Sequence, residues 1–335
     1  MSASIVAIGA GRMGRGIALA YALRGQHVAI VDFKPRTAQA TQALQEDARA
    51  ELRATLQQLA ELGLFSADQI DDHLARISLH GLDEAEDVLR QAVIVYEGVP
   101  ETLDAKRDAL GRISQAVTPQ AIIASTTSTM LASDLAQMVT HPERFMNAHW
   151  LNPAYIIPLV EISAHEGTGQ AQLDALKANL KAIGKVPVQC ACSPGFIVPR
   201  LQSLIMNEAA RMVEEGVATA EEIDLATRYG LGFRFAAIGV LEFIDYGGND
   251  ILFHASKYLA DNLDAQRYTA PDIVQRYMRE GKLGLRSASG FLSYEGVDLN
   301  AYRRDVLART LGMLRHFGLD QGIPSTIEKG AVNEK

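Results

Sequence analysis

Cysteine is scarce in this chain of 335 residues: there are two, at positions 190 and 192. One intervening residue is too few for an ordinary structural disulfide, and two cysteines are too few for a closed zinc site. Both read as thiols in a reducing compartment, and no metal site is expected. Long apolar runs are missing too, since Pro, Asn or Ser/Thr clusters break every uncharged stretch well short of the ~20 residues a membrane-spanning helix needs. Positive charge is not in excess: 32 Lys plus Arg face 40 Asp plus Glu, a formal charge of -8, which argues against a general nucleic-acid or anionic-membrane binder. There is no internal repeat and no low-complexity tract. With 48% apolar and 21% charged residues, 27 Gly and 11 Pro, disorder, collagen and coiled coil are excluded. Residues 4–8 run straight into a glycine turn and read as a first strand, not a signal peptide. The expectation is a cytoplasmic protein with small-molecule chemistry or protein partners, and a length favouring two domains.

The first half alternates short β-branched runs with longer helical patterns, as a parallel sheet wound with crossover helices does. Strands are predicted at 5–8, 28–31, 76–79, 93–96, 122–124 and 145–149. Between the second and third, residues 37–62 carry no Gly or Pro and predict a long protruding helix. Gly63 ends it and Ser66 starts another, so 37–75 reads as a helical insertion. After Val186-Pro187-Val188 the β-branched runs stop, and amphipathic stretches follow at 196–215, 220–229 and 238–259. The expected architecture is an α/β Rossmann domain over 1–189, an all-helical substrate and dimerisation domain over 190–320, and a loose tail over 321–335. So many apolar helical faces need a cover, and a homodimer through the second domain is expected.

Gly9-Ala10-Gly11-Arg12-Met13-Gly14 follows a strand and opens a helix. The first two glycines allow a tight turn and close approach of backbone to a pyrophosphate, and the helix N-terminus supplies free N–H groups and partial positive charge. Asp32 closes the next strand, where its carboxylate accepts bonds from an adenosine ribose and repels a 2'-phosphate. NAD is therefore the expected cofactor, although the nearby cations Lys34 and Arg36 complicate the choice. A second constellation runs from Ser125-Thr126-Thr127-Ser128 through His149-Trp150-Leu151-Asn152-Pro153 to Glu161. His149 ends a predicted strand at the sheet edge where ligands bind, and Glu161 lies in a following extended run. A hydrogen-bonded His–Glu pair there suits a general base; a strand-end His by itself is more often a surface or satisfied residue.

Together with Glu97-Gly98-Val99-Pro100-Glu101, Pro194-Gly195-Phe196-Ile197-Val198 and Gly290-Phe291-Leu292-Ser293-Tyr294, these motifs resemble the 3-hydroxyacyl-CoA dehydrogenase family over residues 4–318. The resemblance implies an NAD-dependent dehydrogenase with His149 as general base, Glu161 as its partner and Ser128 as a donor near the reacting oxygen. It also implies that Glu97 and Lys106 meet the cofactor, Lys106 near the nicotinamide ribose, although a solvated helix lysine reads equally well there. Asn152 is implied in the turn beside the nicotinamide and substrate.

Three departures bear on the substrate. Pro199 stands where the family usually has a substrate-binding asparagine and donates nothing. The loop 61–68 lacks the lysines that often meet CoA phosphates. Arg234, within Gly232-Phe233-Arg234-Phe235-Ala236, resembles the L-gulonate dehydrogenase (lambda-crystallin) and carnitine dehydrogenase branches and suits a carboxylate clamp, or equally a packed surface arginine. A free 3-hydroxy acid is thus the expected substrate over a 3-hydroxyacyl-CoA. A non-catalytic structural protein and an enzyme acting on an aromatic ring carboxylate stay open. Cys190 and Cys192 read as packing residues.

Overall fold

The computed structural model describes residues 5–320, so the tail expected at 321–335 lies outside the described residues. Contacts group the chain into two compact units, one through Asn207 and one from Glu208. The change of sequence pattern near 190 precedes that division, which falls inside a helix.

The first unit is built on eight strands: β1 (Ile5–Ile8), β2 (Val28–Val31), β3 (Ile77–His80), β4 (Ile94–Glu97), β5 (Ile122–Ser125), β6 (Phe145–Trp150), β7 (Leu159–Ser163) and β8 (Val186–Cys190). Their spatial order is 3-2-1-4-5-6-7-8, and every neighbouring pair is parallel except β6–β7. Every residue of β1, β2, β4 and β5 is buried, as strands covered on both faces require. Alternate side chains go to opposite faces: Ile5, Val28, Ile30 and Tyr96 pack on one side, Val6, Ile8, Val31 and Val95 on the other.

Helices α1 (Arg12–Ala22), α2 (Ala38–Glu61), α3 (Ile70–Ala75) and, later in the chain, a helix over Gln170–Ala182 contribute to the first core. Between them, α4 (Ala85–Leu89), α5 (Leu103–Ala116) and α6 (Ala132–Ala136) cover the second, and the 170–182 helix is α7. Thr37 caps α2 by accepting from the Ala40 amide at 3.2 Å. Ala48, Leu52, Leu56 and Leu59 bury one stripe of this long helix and leave the rest of it outside the core. The expected strands recur, shifted by one residue at β3 and β4. Two were not predicted: β7, read only as extended, and β8, whose Pro187 suits an edge strand.

Helix α8 (Val198–Glu214) runs across the division. The second unit continues through α9 (Ala220–Ala226), a π-helical segment Thr227–Gly232, α10 (Phe233–Ala237), α11 (Val240–Gly247), α12 (Asn249–Asn262), α13 (Ala265–Tyr268), α14 (Asp272–Glu280) and α15 (Leu299–His316). Its described residues form helices and isolated bridges without a strand ladder. The amphipathic stretch read over 238–259 holds two helices, α11 and α12, because Gly248 takes φ +115° and breaks the ladder. Buried Asp245 of α11 anchors the Gly290–Tyr294 loop, accepting from the amides of Phe291 at 2.9 Å and Leu292 at 2.8 Å and from the Tyr294 hydroxyl at 3.2 Å. Burial and this carboxylate raise the Tyr294 phenol above its ordinary range. Among the described residues no helix is long and apolar enough to cross a membrane.

Candidate active site

Strand order reverses between β1 and β4, and the loops at the C-terminal ends of these strands frame a cleft of about 1150 Å³. That exceeds the ~300–1,000 Å³ of a typical single-ligand pocket, leaving room for a dinucleotide beside a second small molecule. Every residue lining it belongs to the first unit.

Gly9, Gly11, Arg12 and Met13 line the floor of the cleft, while Gly14 is buried behind it. Gly9 has φ +99°, and a Cβ there would sit 2.8 Å from the Gly98 carbonyl oxygen. A Cβ at Gly14 would collide with the Gly9 carbonyl, so the tight turn depends on both positions. At Gly11 a Cβ would meet nothing within 4 Å; its face is open. Helix α1 starts from Gly11 with no side-chain cap and no acidic residue in its first turn, which leaves its first amides free for an anion. The glycine cradle and the acid at the end of β2 fit a dinucleotide.

Asp32 lines the cleft, but its carboxylate is not alone: Arg36 Nε lies 2.5 Å from Oδ2, and the Lys34 amide is 3.5 Å from Oδ1. Beside it, the Arg112 guanidinium lies 4.4 Å from the centre of the Phe33 ring. Ala105, Asp108, Ala109 and Arg112 present one face of α5 to the same space. Phe33, Arg15 and Arg112 were missed from the sequence. Phe33 directly follows Asp32, and the spacing on α5 was the available signal for Arg112.

Glu97 and Lys106, which the resemblance implied at the cofactor, sit behind the wall of the cleft. Both are fully buried, and neither lines the cleft. Lys106 Nζ donates to Glu97 Oε1 at 2.9 Å, Glu97 Oε2 at 3.1 Å and the Val99 carbonyl at 3.3 Å. Glu97 also accepts from the Val99 amide at 2.7 Å and the Ser125 hydroxyl at 2.6 Å. The lysine is not solvated; it ties the loop after β4 to α5, and its Nζ lies 3.6 Å from Oε1 of Glu101, which lines the cleft.

His149 and Glu161 stand directly opposite each other on the antiparallel β6–β7 pair. Their side chains meet on one face, with Nδ1 2.9 Å from Glu161 Oε2. Glu161 is 1% exposed and His149 9%, and only the histidine lines the cleft. The other oxygen, Oε1, accepts from the amides of Ile197 at 3.0 Å and Val198 at 2.8 Å, so the carboxylate also caps the start of α8. Left-handed Gly195 (φ +74°) and Phe196 (φ +45°) aim those amides, and the Phe196 ring stacks on the imidazole with centroids 5.6 Å apart. A phenylalanine in that conformation costs about 1–3 kcal/mol, offset by these contacts. Because the amides and Nδ1–H all donate to Glu161, Nε2 carries the lone pair.

Ser128 and Asn152 line the cleft with His149. Asn147, two residues before the histidine, donates to the Met130 carbonyl at 2.9 Å and steadies the loop that carries Ser128. The turn after β6, which contains a cis Asn152–Pro153 bond, is held by buried Lys185: Nζ donates to the carbonyls of Ala154 at 2.6 Å and Ile157 at 2.7 Å. Burial, with Arg24 nearby, pushes the Lys185 ammonium down to about 8. Trp150 both fills core, at 2% exposure, and touches the cleft.

Arg234 belongs to the second unit; its Nε donates to the Gly230 carbonyl at 3.0 Å, and its guanidinium lies 5.1 Å from the centre of the Phe243 ring. Cys190 is half-buried, and burial, with Glu161 nearby, pushes its thiol up, away from a reactive thiolate. Among the described residues no cluster of His, Cys, Asp or Glu has the make-up of a metal site. Pro199 and Gln202 of α8 also line the cleft, and Gln202 was not singled out from the sequence.

Comparison with known proteins agrees with this geometry. Residues 4–193 match the 3-hydroxyacyl-CoA dehydrogenase NAD binding domain, and residues 195–294 match the C-terminal domain of the same enzymes. Lambda-crystallin of Oryctolagus cuniculus is 34% identical over 255 residues, 76% of this chain and 77% of that protein. The 5-formyl-3-hydroxy-2-methylpyridine 4-carboxylate 5-dehydrogenase of Mesorhizobium japonicum is 29% identical over 88% of this chain and 91% of its own length. Among solved structures, the 3-hydroxyacyl-CoA dehydrogenase of Archaeoglobus fulgidus superposes with a TM-score of 0.73 at 28% identity, covering 94% of this chain and 99% of that one. The cradle for a dinucleotide and these matches give an NAD-dependent dehydrogenase acting on a CH–OH group, and the chain belongs to the 3-hydroxyacyl-CoA dehydrogenase family.

Proposed function

We propose that this enzyme oxidises the 3-hydroxyl of a small free 3-hydroxy acid to the 3-keto product. The observation that carries the reading is the His149–Glu161 bond of 2.9 Å on the wall of the dinucleotide cleft. Bound NAD supplies the acceptor for the hydride leaving carbon 3. His149 Nε2 takes the hydroxyl proton, and Glu161 holds the ring and stabilises the imidazolium that forms, a contribution of ~10²- to 10⁴-fold for a positioned base. Ser128 donates to the reacting oxygen, and Asn152 shapes the nicotinamide end of the cleft.

Three features favour the free acid. Pro199 lines the cleft without a donor. The loop between α2 and α3 exposes Leu62 and Leu64 and carries no lysine for CoA phosphates. Arg234 does not line the cleft and enters this reading through the resemblance alone, as a guanidinium suited to a carboxylate. The second reading, a 3-hydroxyacyl-CoA thioester, is favoured by the activity named for the Archaeoglobus fulgidus structure. We also infer a homodimer through the second domain, since α8 buries none of its 17 residues and α12 buries only Asn249.

NADH formation with free 3-hydroxy acids and 3-hydroxybutyryl-CoA side by side tests the substrate class. Turnover of a free acid is expected, with Arg234→Met raising its KM by ~10- to 100-fold and changing kcat less. Efficient use of the thioester with no activity on any free acid restores the second reading.

A further inference from the structure

Among the polar residues that line the cleft with His149, Gln202 is one that the reaction scheme above leaves without a task. It lies on α8 three residues after Pro199, so the two share a helix face, and both line the cleft. The position of that face is set by the base itself. Glu161 Oε1 accepts from the amides of Ile197 and Val198 at 3.0 and 2.8 Å while its other oxygen holds His149, and Phe196 stacks on the imidazole. The first turn of α8 is closed by Arg200 N to Gly195 O at 3.0 Å and Leu201 N to Ile197 O at 3.0 Å. The helix is therefore registered against the His149–Glu161 pair, and its next exposed turn carries Gln202. At the first cleft-lining position of this face the chain offers only carbon, since Pro199 has neither a polar side chain nor an amide hydrogen. One turn on, it offers a carboxamide with two N–H donors and no protein partner among the described residues.

We propose that Gln202 is a specificity-determining residue of the substrate subsite, its side-chain amide donating a hydrogen bond to the carboxylate or acyl oxygen of the substrate where Pro199 cannot. This rests on the dehydrogenase reading above, and it adds a residue to the substrate subsite. A neutral amide serves a carboxylate or a thioester carbonyl, so the residue fixes the placement of the C3 hydroxyl against His149 while charge recognition is left to other groups. The substrate's polar end is held on α8 and its reacting carbon on β6, two elements that Glu161 ties together.

The test uses the full-length enzyme, with 3-hydroxybutyrate, L-gulonate, carnitine and 3-hydroxybutyryl-CoA as probes, reading KM and kcat for each and the affinity for NAD by fluorescence. Gln202→Leu is expected to lower kcat/KM for the hydroxy substrate by about 10- to 100-fold, mostly through KM, with NAD affinity within about twofold of wild type. Adding Pro199→Asn to Gln202→Leu places an amide on the same helix face one turn earlier and is expected to recover part of the loss. Gln202→Glu, which keeps the shape but presents an anion, is expected to be worse than Gln202→Leu with a free acid. Unchanged kcat/KM in Gln202→Leu, or an equal loss of NAD affinity, overturns the assignment and leaves the dehydrogenase reading standing. Absence of NADH from wild type with every probe overturns both.

Discussion

Two buried acid–base pairs lie within a few residues of the same cleft, and they do different work. Lys106–Glu97 is sealed: both side chains are fully buried, all three ammonium hydrogens have acceptors, and the carboxylate is further bonded to Val99 N and Ser125 Oγ. His149–Glu161 is sealed at one end only. Glu161 is saturated by three donors, but the imidazole lines the cleft, and Nε2 has no hydrogen-bond partner among the described residues. A pair so fully bonded fixes backbone, here the loop after β4, and reaches the cleft only through Glu101, 3.6 Å from the lysine Nζ. A pair with one open valence, held rigid from behind, is positioned to move a proton. The lesson is that burial of charge alone does not mark the chemistry; the unspent lone pair does.

Breaking the sealed pair is expected to have the largest effect on stability. Lys106→Met leaves a buried carboxylate without its cation and should cost about 3–5 kcal/mol in urea unfolding, while Lys106→Met with Glu97→Gln recovers part of it. A stable Lys106→Met protein with lost turnover would instead assign the lysine to the chemistry. Next comes a pair on the rim: Arg36 and Asp32, with side chains 29% and 10% exposed, are open to the cleft. Asp32→Ser removes the like-charge repulsion of a 2'-phosphate and frees Arg36 and Lys34 to meet it. Binding of NADP should tighten by roughly tenfold or more as NAD weakens, measured by titration of both.

The smallest effect belongs to Lys185, a buried lysine bonded to two backbone carbonyls in place of a carboxylate. Its pKa falls from 10.5 to about 8 on folding. The unfolded chain therefore binds more protons between those values, and this group's contribution to stability is complete above the upper one and lost as pH falls through the lower. The stability difference between wild type and Lys185→Met should grow in favour of wild type from about pH 7 to about pH 9.5, by roughly a kcal/mol or two in denaturant titrations. A flat difference would mean that the ammonium is not strained by its burial.

Much of the first unit was legible because its signals are local. Four-residue apolar strands, the glycines of 9–14 and the acid at 32 follow one another in the order the sheet uses them. His149 and Glu161 were legible as a pair for a different reason: a turn between two extended runs puts them in cross-strand register. What stayed hidden depends on partners far along the chain. Nothing near Lys106 says that it closes on Glu97 instead of reaching solvent. The capping of α8 by Glu161 joins residues 36 and 37 positions apart. β8 was obscured by Pro187, and the amphipathic stretch over 238–259 did not by itself mark the break between α11 and α12 at Gly248. Gln202 carried no motif at all; only the folded helix face brings it to the cleft.

The most direct test of the open pair is NADH formation by wild type and His149→Gln, measured together with NAD affinity and urea unfolding. Loss of ~10²- to 10⁴-fold in kcat, with cofactor binding and stability nearly unchanged, is the predicted result. Wild-type turnover in His149→Gln, or a loss explained by unfolding, would contradict the assignment of His149 as the base.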